Sequence, residues 1–164
     1  MLRQVVAGSL VLTAVVMLFT VQADRAAAKE EAKKKEFAQK CPVSNRKAVE
    51  DQTAAYKGGK VYFCCKNCKA AFEKGVKNES LSETHTERAN AQLVSTGQYV
   101  QKKCPLTGGP LKTKTTVADV EVKFCCGNCK KKVDGADNPL ALVFSDAAFK
   151  KGFAKKKAKK ADDK

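Results

Sequence analysis

One cysteine pattern occurs twice in this chain and constrains its fold more than any other feature. Each copy has a Cys-Pro pair, a spacer, a Phe-Cys-Cys triplet and one further cysteine three residues later. The cysteines are Cys41, Cys64, Cys65 and Cys68 in the first copy and Cys104, Cys125, Cys126 and Cys129 in the second. The chain has no other cysteine, so its sulfur forms two local clusters whose partner is a metal ion, another cysteine or a redox thiol.

The N-terminal 23 residues are typical of a secretory signal peptide. Arg3 precedes an apolar run from Val5 to Val21, and small residues precede a cleavage site after Ala23. We therefore expect an exported protein, periplasmic or extracellular. The alternative is an uncleaved membrane anchor, although a run of about 17 residues is at the lower limit for a spanning helix. Export also favours thiol oxidation, which makes structural disulfides an alternative to metal binding.

The formal charge of +15 is concentrated in two Lys/Ala-rich segments, 29–40 and 150–160. Both have few large apolar side chains and are predicted to be solvated, disordered tails. Such tails suit anionic surfaces, such as lipid or polysaccharide, as partners. No nucleic-acid module is recognisable, so we predict no specific nucleic-acid partner. The sequence does not identify a protein partner.

An offset of about 60 residues between the copies predicts two small structural units. We divide the chain into a signal peptide (1–23), a basic disordered linker (24–38), a first cysteine module with a helical connector (39–100), a second cysteine module with a C-terminal helix (101–153) and a basic disordered tail (154–164). The fold class is therefore α+β, with a β-hairpin and a helix in each module and Lys-rich tails.

Local signals place the predicted elements. Alternating apolar residues predict hairpins over 53–64 and 115–125, and the first turns at Gly58-Gly59. A helix follows each doublet of adjacent cysteines, Cys64-Cys65 and Cys125-Cys126, and its predicted N-cap is Asn67 or Asn128. Glycine ends both helices, at Gly75 and after Asp134. A helix over 86–96 joins the units, and Ser145 caps a last helix that runs to about Phe153.

This arrangement favours a metal site in each module. A turn carries the first cysteine and a helix start carries the last, so sulfurs distant in sequence converge. The helix N-terminus and nearby lysines stabilise thiolate. The first, second and fourth cysteines of each copy are the best ligands, while Cys65 and Cys126 are the candidates for a fourth ligand. Thiolates select soft ions, so we expect one Zn²⁺ or Cu⁺ per module.

The spacings C-x22-C-x3-C and C-x20-C-x3-C, with Phe before the second cysteine and Lys after the third, resemble the YHS/TRASH family of heavy-metal-binding modules. The resemblance covers 41–75 and 104–133, and it implies treble-clef-like knuckles and a role in metal trafficking, sensing or resistance. It places the family's ligands on Cys41, Cys64 and Cys68, and on Cys104, Cys125 and Cys129. Ser44 and Thr107 stand where many relatives carry a second cysteine, and Cys65 and Cys126 stand where relatives often carry serine.

The remaining polar residues give no sign of catalysis. His85 is the single histidine and lies far in sequence from every cysteine. Asp134 and Asp137 lack the spacing of a calcium loop. We therefore predict a non-enzyme that stores, buffers or carries a soft metal. The alternatives are a disulfide-stabilised structural or interaction module and, with less support, a thiol–disulfide exchange protein.

Overall fold

In each cysteine unit an antiparallel hairpin leads directly into a helix. The computed structural model describes residues 37–157; the predicted signal peptide, residues 24–36 of the basic linker and the end of the tail lie outside this range. The elements are β1 Thr53–Tyr56, β2 Gly59–Tyr62, α1 Lys66–Lys77, α2 Glu83–Ser95, β3 Tyr99–Gln101, β4 Thr113–Val117, β5 Val120–Phe124, α3 Gly127–Asp134, α4 Pro139–Phe144, α5 Asp146–Gly152 and β6 Phe153–Lys155. The predicted α+β class is confirmed. Between residues 37 and 157 no helix is long and apolar enough to cross a bilayer.

The hairpins are β1–β2 and β4–β5. Apolar and polar residues alternate along β5 and from β2 into the residues after it. The apolar side chains of Val61, Phe63, Val122 and Phe124 share the inner face and are fully buried. The first turn lies at Lys57-Gly58, where φ is +49° and +73°, so Gly59 belongs to β2 and pairs with Tyr56. Left-handed backbone at both central residues matches the right-handed twist of the strands.

The helices α1 and α3 start one residue after each doublet. Their N-caps are Cys65 and Cys126, so the predicted caps Asn67 and Asn128 are wrong. The reason is that the extended backbone ends at the second cysteine of each doublet and the helix begins at once. Gly75 does not end α1 either, because it lies where a side chain would approach Leu81: a Cβ there would be 3.1 Å from its Cδ1.

The helix between the two units forms much of the shared core. It spans Glu83–Ser95, slightly earlier than the predicted 86–96, because Ser82 caps it by accepting from the His85 amide. Its buried face includes Leu93 and also the polar Asn90 and Gln92. The Asn90 side chain donates to the Phe144 carbonyl and accepts from Lys57 at 2.8 Å, which connects α4 with the first hairpin turn.

The C-terminal elements close the structure. Ser145 precedes α5 as predicted, whereas the short helix α4 was not predicted. Strands β3 and β6 pair antiparallel, with Tyr99 opposite Lys155, and neither strand was predicted. The strand β6 includes Ala154 and Lys155, which the sequence analysis placed in the basic tail. The two cysteine units and all other described residues belong to one domain.

Candidate metal centre

Three cysteines converge in each unit. The Sγ atoms of Cys41, Cys64 and Cys68 all lie within 4.8 Å of one another. They come from the turn before the hairpin, the residues after β2 and the first turn of α1. Cys104, Cys125 and Cys129 form the same group in the second unit, again within 4.8 Å. These six residues are the ones that the sequence favoured as ligands.

The spacing of the sulfurs matches a tetrahedral ion. Sγ of Cys64 is 3.7 Å from Sγ of Cys68, and Sγ of Cys125 is 3.5 Å from Sγ of Cys129. Four sulfurs at about 2.3 Å from a zinc ion lie about 3.8 Å apart. A disulfide brings its sulfurs to about 2.05 Å, and all eight cysteines of this structure are free. The groups therefore have the size of a metal site.

The Cys-Pro turns place the first sulfur of each group. The Asn45 amide donates to the Cys41 carbonyl at 2.8 Å, and the Gly108 amide donates to the Cys104 carbonyl at 2.7 Å. Both donors have left-handed backbone, with φ of +59° and +79°. Asparagine tolerates this conformation better than most residues and glycine adopts it freely. The two turns are therefore equivalent in structure although their sequences differ.

A hydroxyl group lies beside the three sulfurs of each group. Ser44 Oγ is 3.1 Å from Cys64 Sγ, and its side chain also hydrogen-bonds to Cys41 and Cys68. In the second unit Thr107 Oγ1 is 3.1 Å from Cys125 Sγ. Ser44 and Thr107 were named from the sequence as replacements of a cysteine, but the fourth position was assigned to Cys65 and Cys126 and the two hydroxyls were given no role. The signal was present, because both repeats carry a hydroxyl residue three positions after the first cysteine.

Cys65 and Cys126 lie at the edge of the groups. Sγ of Cys65 is 3.7 Å from Sγ of Cys64, and Sγ of Cys126 is 3.7 Å from Sγ of Cys125. Both are exposed, and neither belongs to the sets whose sulfurs all lie within 4.8 Å of one another. Each exposed sulfur therefore contacts one inner sulfur but does not lie close to all three of them.

The first cysteine of each unit is prepared for ionisation. Burial raises the pKa of Cys41, but hydrogen bonds from the Ser44 hydroxyl and nearby backbone amides outweigh it and bring the pKa down to about 7. Burial likewise opposes ionisation of Cys104, but hydrogen bonds from the Thr107 side chain and nearby amides lower its pKa to about 6. Each unit thus holds one thiolate near neutral pH.

The last cysteine of each unit behaves in the opposite way. Burial, followed by the neighbouring sulfurs, raises the pKa of Cys68 and of Cys129 to about 12. Crowded sulfurs cannot all carry negative charge unless a cation compensates them. A metal ion would remove these protons, so binding and proton release are coupled.

We expect metal affinity to rise with pH. A three-thiolate site must displace the Cys68 proton at any pH below about 12, and below about 7 it must displace the Cys41 proton as well. Affinity gains about tenfold per pH unit for each proton released, so the pH dependence becomes steeper below the pKa of Cys41. The same reasoning applies to the second site, where the pKa is about 12 for Cys129 and about 6 for Cys104.

This pH dependence can be measured by titrating Zn²⁺ between pH 5.5 and 8 in variants that retain one site each. Proton release is followed in parallel with a pH indicator. An affinity that does not change over this range would contradict the coupling of metal binding to proton release.

Two glutamines hold the sulfur-bearing segments together. Gln92 of α2 accepts from the Tyr62 amide at 2.6 Å and donates to the carbonyls of Tyr62 at 3.0 Å and Lys40 at 2.9 Å. Lys40 precedes Cys41, and Tyr62 lies two residues before Cys64. The side chain therefore fixes the distance between the turn and the end of β2.

Gln101 of β3 makes the same three bonds in the second unit. It accepts from the Lys123 amide at 2.8 Å and donates to the carbonyls of Lys123 at 2.6 Å and Lys103 at 3.1 Å. Lys103 directly precedes Cys104, as Lys40 precedes Cys41. Lys123 lies two residues before Cys125, as Tyr62 lies two residues before Cys64. Thus a helix and a strand supply the same amide clamp, which no sequence pattern indicated.

The clamps should control affinity site by site. We expect Gln92→Leu to weaken the first site, and Gln101→Leu the second, by about 10- to 100-fold, as for other groups that orient metal ligands. Gln98→Leu is the matched control, because Gln98 bonds to the backbone of Lys60 at a distance from the sulfurs. Competition with a fluorescent chelator measures each site, and the unaltered site is the internal reference. Equal losses at both sites would indicate general destabilisation instead.

The other polar candidates lie outside the sulfur groups. His85 is half-buried on α2 and belongs to neither group. Asp134, at the end of α3, accepts from Lys130 of the same helix and from Thr115 of β4, so it connects the helix end with the second hairpin. Comparison with family models, curated proteins and solved structures found no match to this chain.

Proposed function

We propose that this protein binds one soft metal ion in each of two three-cysteine sites and acts in metal storage, buffering or trafficking. The observation that carries the proposal is the convergence of three Sγ atoms to within 4.8 Å in both units. Thiolates bind Zn²⁺ and Cu⁺ in preference to hard cations. Two equivalent sites in one chain suit a protein that holds metal for delivery.

Zn²⁺ is the better of the two ions. The spacing of 3.5–3.7 Å between sulfurs fits a tetrahedron. The hydroxyl of Ser44 or Thr107, or a water molecule beside it, is available for the fourth position. Oxygen is a normal ligand for Zn²⁺, whereas Cu⁺ prefers sulfur. Cu⁺ stays the alternative, because it accepts three sulfurs without a fourth ligand.

The fold of the modules and the location of the protein also belong to this proposal. A Cys-Pro turn, a hairpin and a helix that carries the last ligand support treble-clef-like knuckles of the YHS/TRASH kind, with α2 as the helical connector. The predicted signal peptide supports export to the periplasm or the cell exterior. We propose no catalytic activity: among residues 37–157 the single histidine, His85, lies away from both sulfur groups.

Thiol–disulfide exchange is a second candidate. Cys65 and Cys126 are exposed at helix starts, three residues before a buried or half-buried cysteine. Backbone hydrogen bonds, chiefly from Cys68 and Cys129 respectively, lower the pKa of each thiol. An exposed thiol of lowered pKa is the usual nucleophile of exchange reactions. This function would leave Cys41 and Cys104 without a role, so we rank it below metal binding.

Reconstitution tests the main proposal. The reduced protein is loaded with Zn²⁺ without oxygen, freed of excess metal and examined by native mass spectrometry. We expect two ions per chain. Co²⁺ substitution then counts the thiolates through its charge-transfer absorption, with three per ion expected. A protein that retains no ion but reduces a model disulfide would support the second candidate in its place.

A further inference from the structure

We propose that Cys65 and Cys126 are transfer ligands, through which a metal ion passes between each three-sulfur site and the thiolate of an incoming carrier. This inference rests on the proposed metal binding. The two cysteines at the edges of the sites would then have a role, and the exchange partner would be a molecule that carries a thiol.

The cysteines of each site differ in their access to a carrier. Cys41 and Cys104 are 0% exposed and Cys129 is 8% exposed. Cys64, Cys68 and Cys125 are half-buried, so a bulky carrier reaches the exposed Cys65 and Cys126 most easily. Cys65 and Cys126 are exposed, yet each has its sulfur 3.7 Å from an inner sulfur. A metal ion can therefore move between the inner sulfurs and the exposed one over a short distance.

The fourth position of each site has only a weak ligand. The nearest side-chain group beside the inner sulfurs is a neutral hydroxyl, Ser44 or Thr107, at 3.1 Å from Cys64 or Cys125. A thiolate is a stronger ligand than a hydroxyl for a soft ion. The fourth position is therefore the one at which an incoming sulfur can bind first, without displacing an inner cysteine.

The exchange needs no oxidant or reductant. In release, the thiolate of Cys65 replaces one inner cysteine, and carrier thiolates then replace the two remaining inner cysteines and finally Cys65, one at a time. The oxidation state of the ion does not change. One metal–sulfur bond forms for each one that breaks, and each freed protein thiolate takes up a proton as a carrier thiol gives one up. Uptake is the reverse sequence.

The charge near the exposed sulfurs indicates the kind of carrier. Lys66 directly follows Cys65, and Lys69 lies four residues after it, one helical turn away. After Cys126, Lys130 holds the corresponding place but is paired with Asp134, and the exposed Lys131 follows it. In a chain with a net charge of +15, such a surface attracts anions. The carrier is therefore a thiol on an anionic molecule.

Zinc transfer kinetics test the inference. The zinc-loaded protein is mixed with excess glutathione, an anionic thiol, and a zinc-sensitive dye reports release. We expect Cys65→Ser to slow the release of one ion, Cys126→Ser the other, and the double variant both, by about tenfold or more. Cysteamine, a cationic thiol, should be slower than glutathione with the unaltered protein. Release to EDTA, which has no thiol, should be the same for all variants.

The outcomes separate this inference from the function on which it rests. No bound zinc in the unaltered protein would reject the proposed function. Two bound ions, with glutathione rates unchanged by both serine substitutions, would reject only the transfer ligands. Loss of zinc from Cys65→Ser and Cys126→Ser would also overturn the inference, because these residues would then be permanent ligands. As a matched control, Asn67→Ser changes an exposed position in the same helical turn and keeps both Cys65 and Lys66, so its glutathione rate should equal that of the unaltered protein.

Discussion

Replacing Cys68 with serine is expected to reduce the number of bound ions from two to one per chain. The Cys68 sulfur is 3.7 Å from that of Cys64 and belongs to the first three-sulfur group. Its loss leaves two thiolates and a hydroxyl, which hold a soft ion poorly. Cys129→Ser should remove the second ion in the same way, and the double variant should bind none.

Native mass spectrometry of zinc-loaded protein counts these ions directly. Asn67→Ser and Asn128→Ser are the matched controls, because they alter an exposed position in the same helical turn without removing sulfur. Both controls should retain two ions. Two ions in the double cysteine variant would reject Cys68 and Cys129 as ligands.

Removing the metal is expected to lower the melting temperature of the protein strongly. A ligand that binds only the folded state stabilises it by about 4 kcal/mol when its free concentration is 1,000 times Kd. Two sites filled to this degree should raise the melting temperature by at least about 10 °C. The metal-free protein should still melt cooperatively, because Phe63, Phe72 and Phe124 form an apolar core beside the sulfurs.

Circular dichroism on heating, with zinc and then with a chelator, measures this difference. The Cys68→Ser/Cys129→Ser variant is the control and should melt at one temperature under both conditions. If the unaltered protein also melts at the same temperature with zinc and with chelator, the sites do not bind the ion in the folded state.

The sulfur groups could be predicted because the evidence for them is local and repeated. Each cysteine lies at a point where the chain changes direction: a Cys-Pro turn, a strand end or a helix start. The alternation through Val61 and Phe63, and through Val122 and Phe124, likewise indicated the hairpins. An apolar residue at every second position is a strong indication of a strand when one face of a hairpin packs on a core.

Features that depend on tertiary contacts could not be predicted. Gln92 and Gln101 make the same clamp from a helix and a strand that are not equivalent in the repeat. Gly75 stays inside α1 because Leu81 packs against it, although glycine often ends a helix. The pairing of β3 with β6 joins segments more than 50 residues apart, and each segment is only three residues long.

The clamps also show where the repeat ends. The turns, hairpins and helix starts of 41–75 and 104–133 correspond closely, down to the hydrogen bonds of the Cys-Pro turns. Beyond these segments the two units receive support from different elements, α2 in one and β3 in the other. Each site can therefore acquire its own affinity while its sulfur geometry stays the same.

The most direct test is a combined metal analysis and thiol count on protein recovered from its native compartment, without added metal or reductant. The account predicts two soft-metal ions per chain, with the six inner cysteines reduced and protected from alkylation until the metal is removed. A protein without metal, in which all eight cysteines are oxidised, would contradict it and would establish a disulfide-stabilised module.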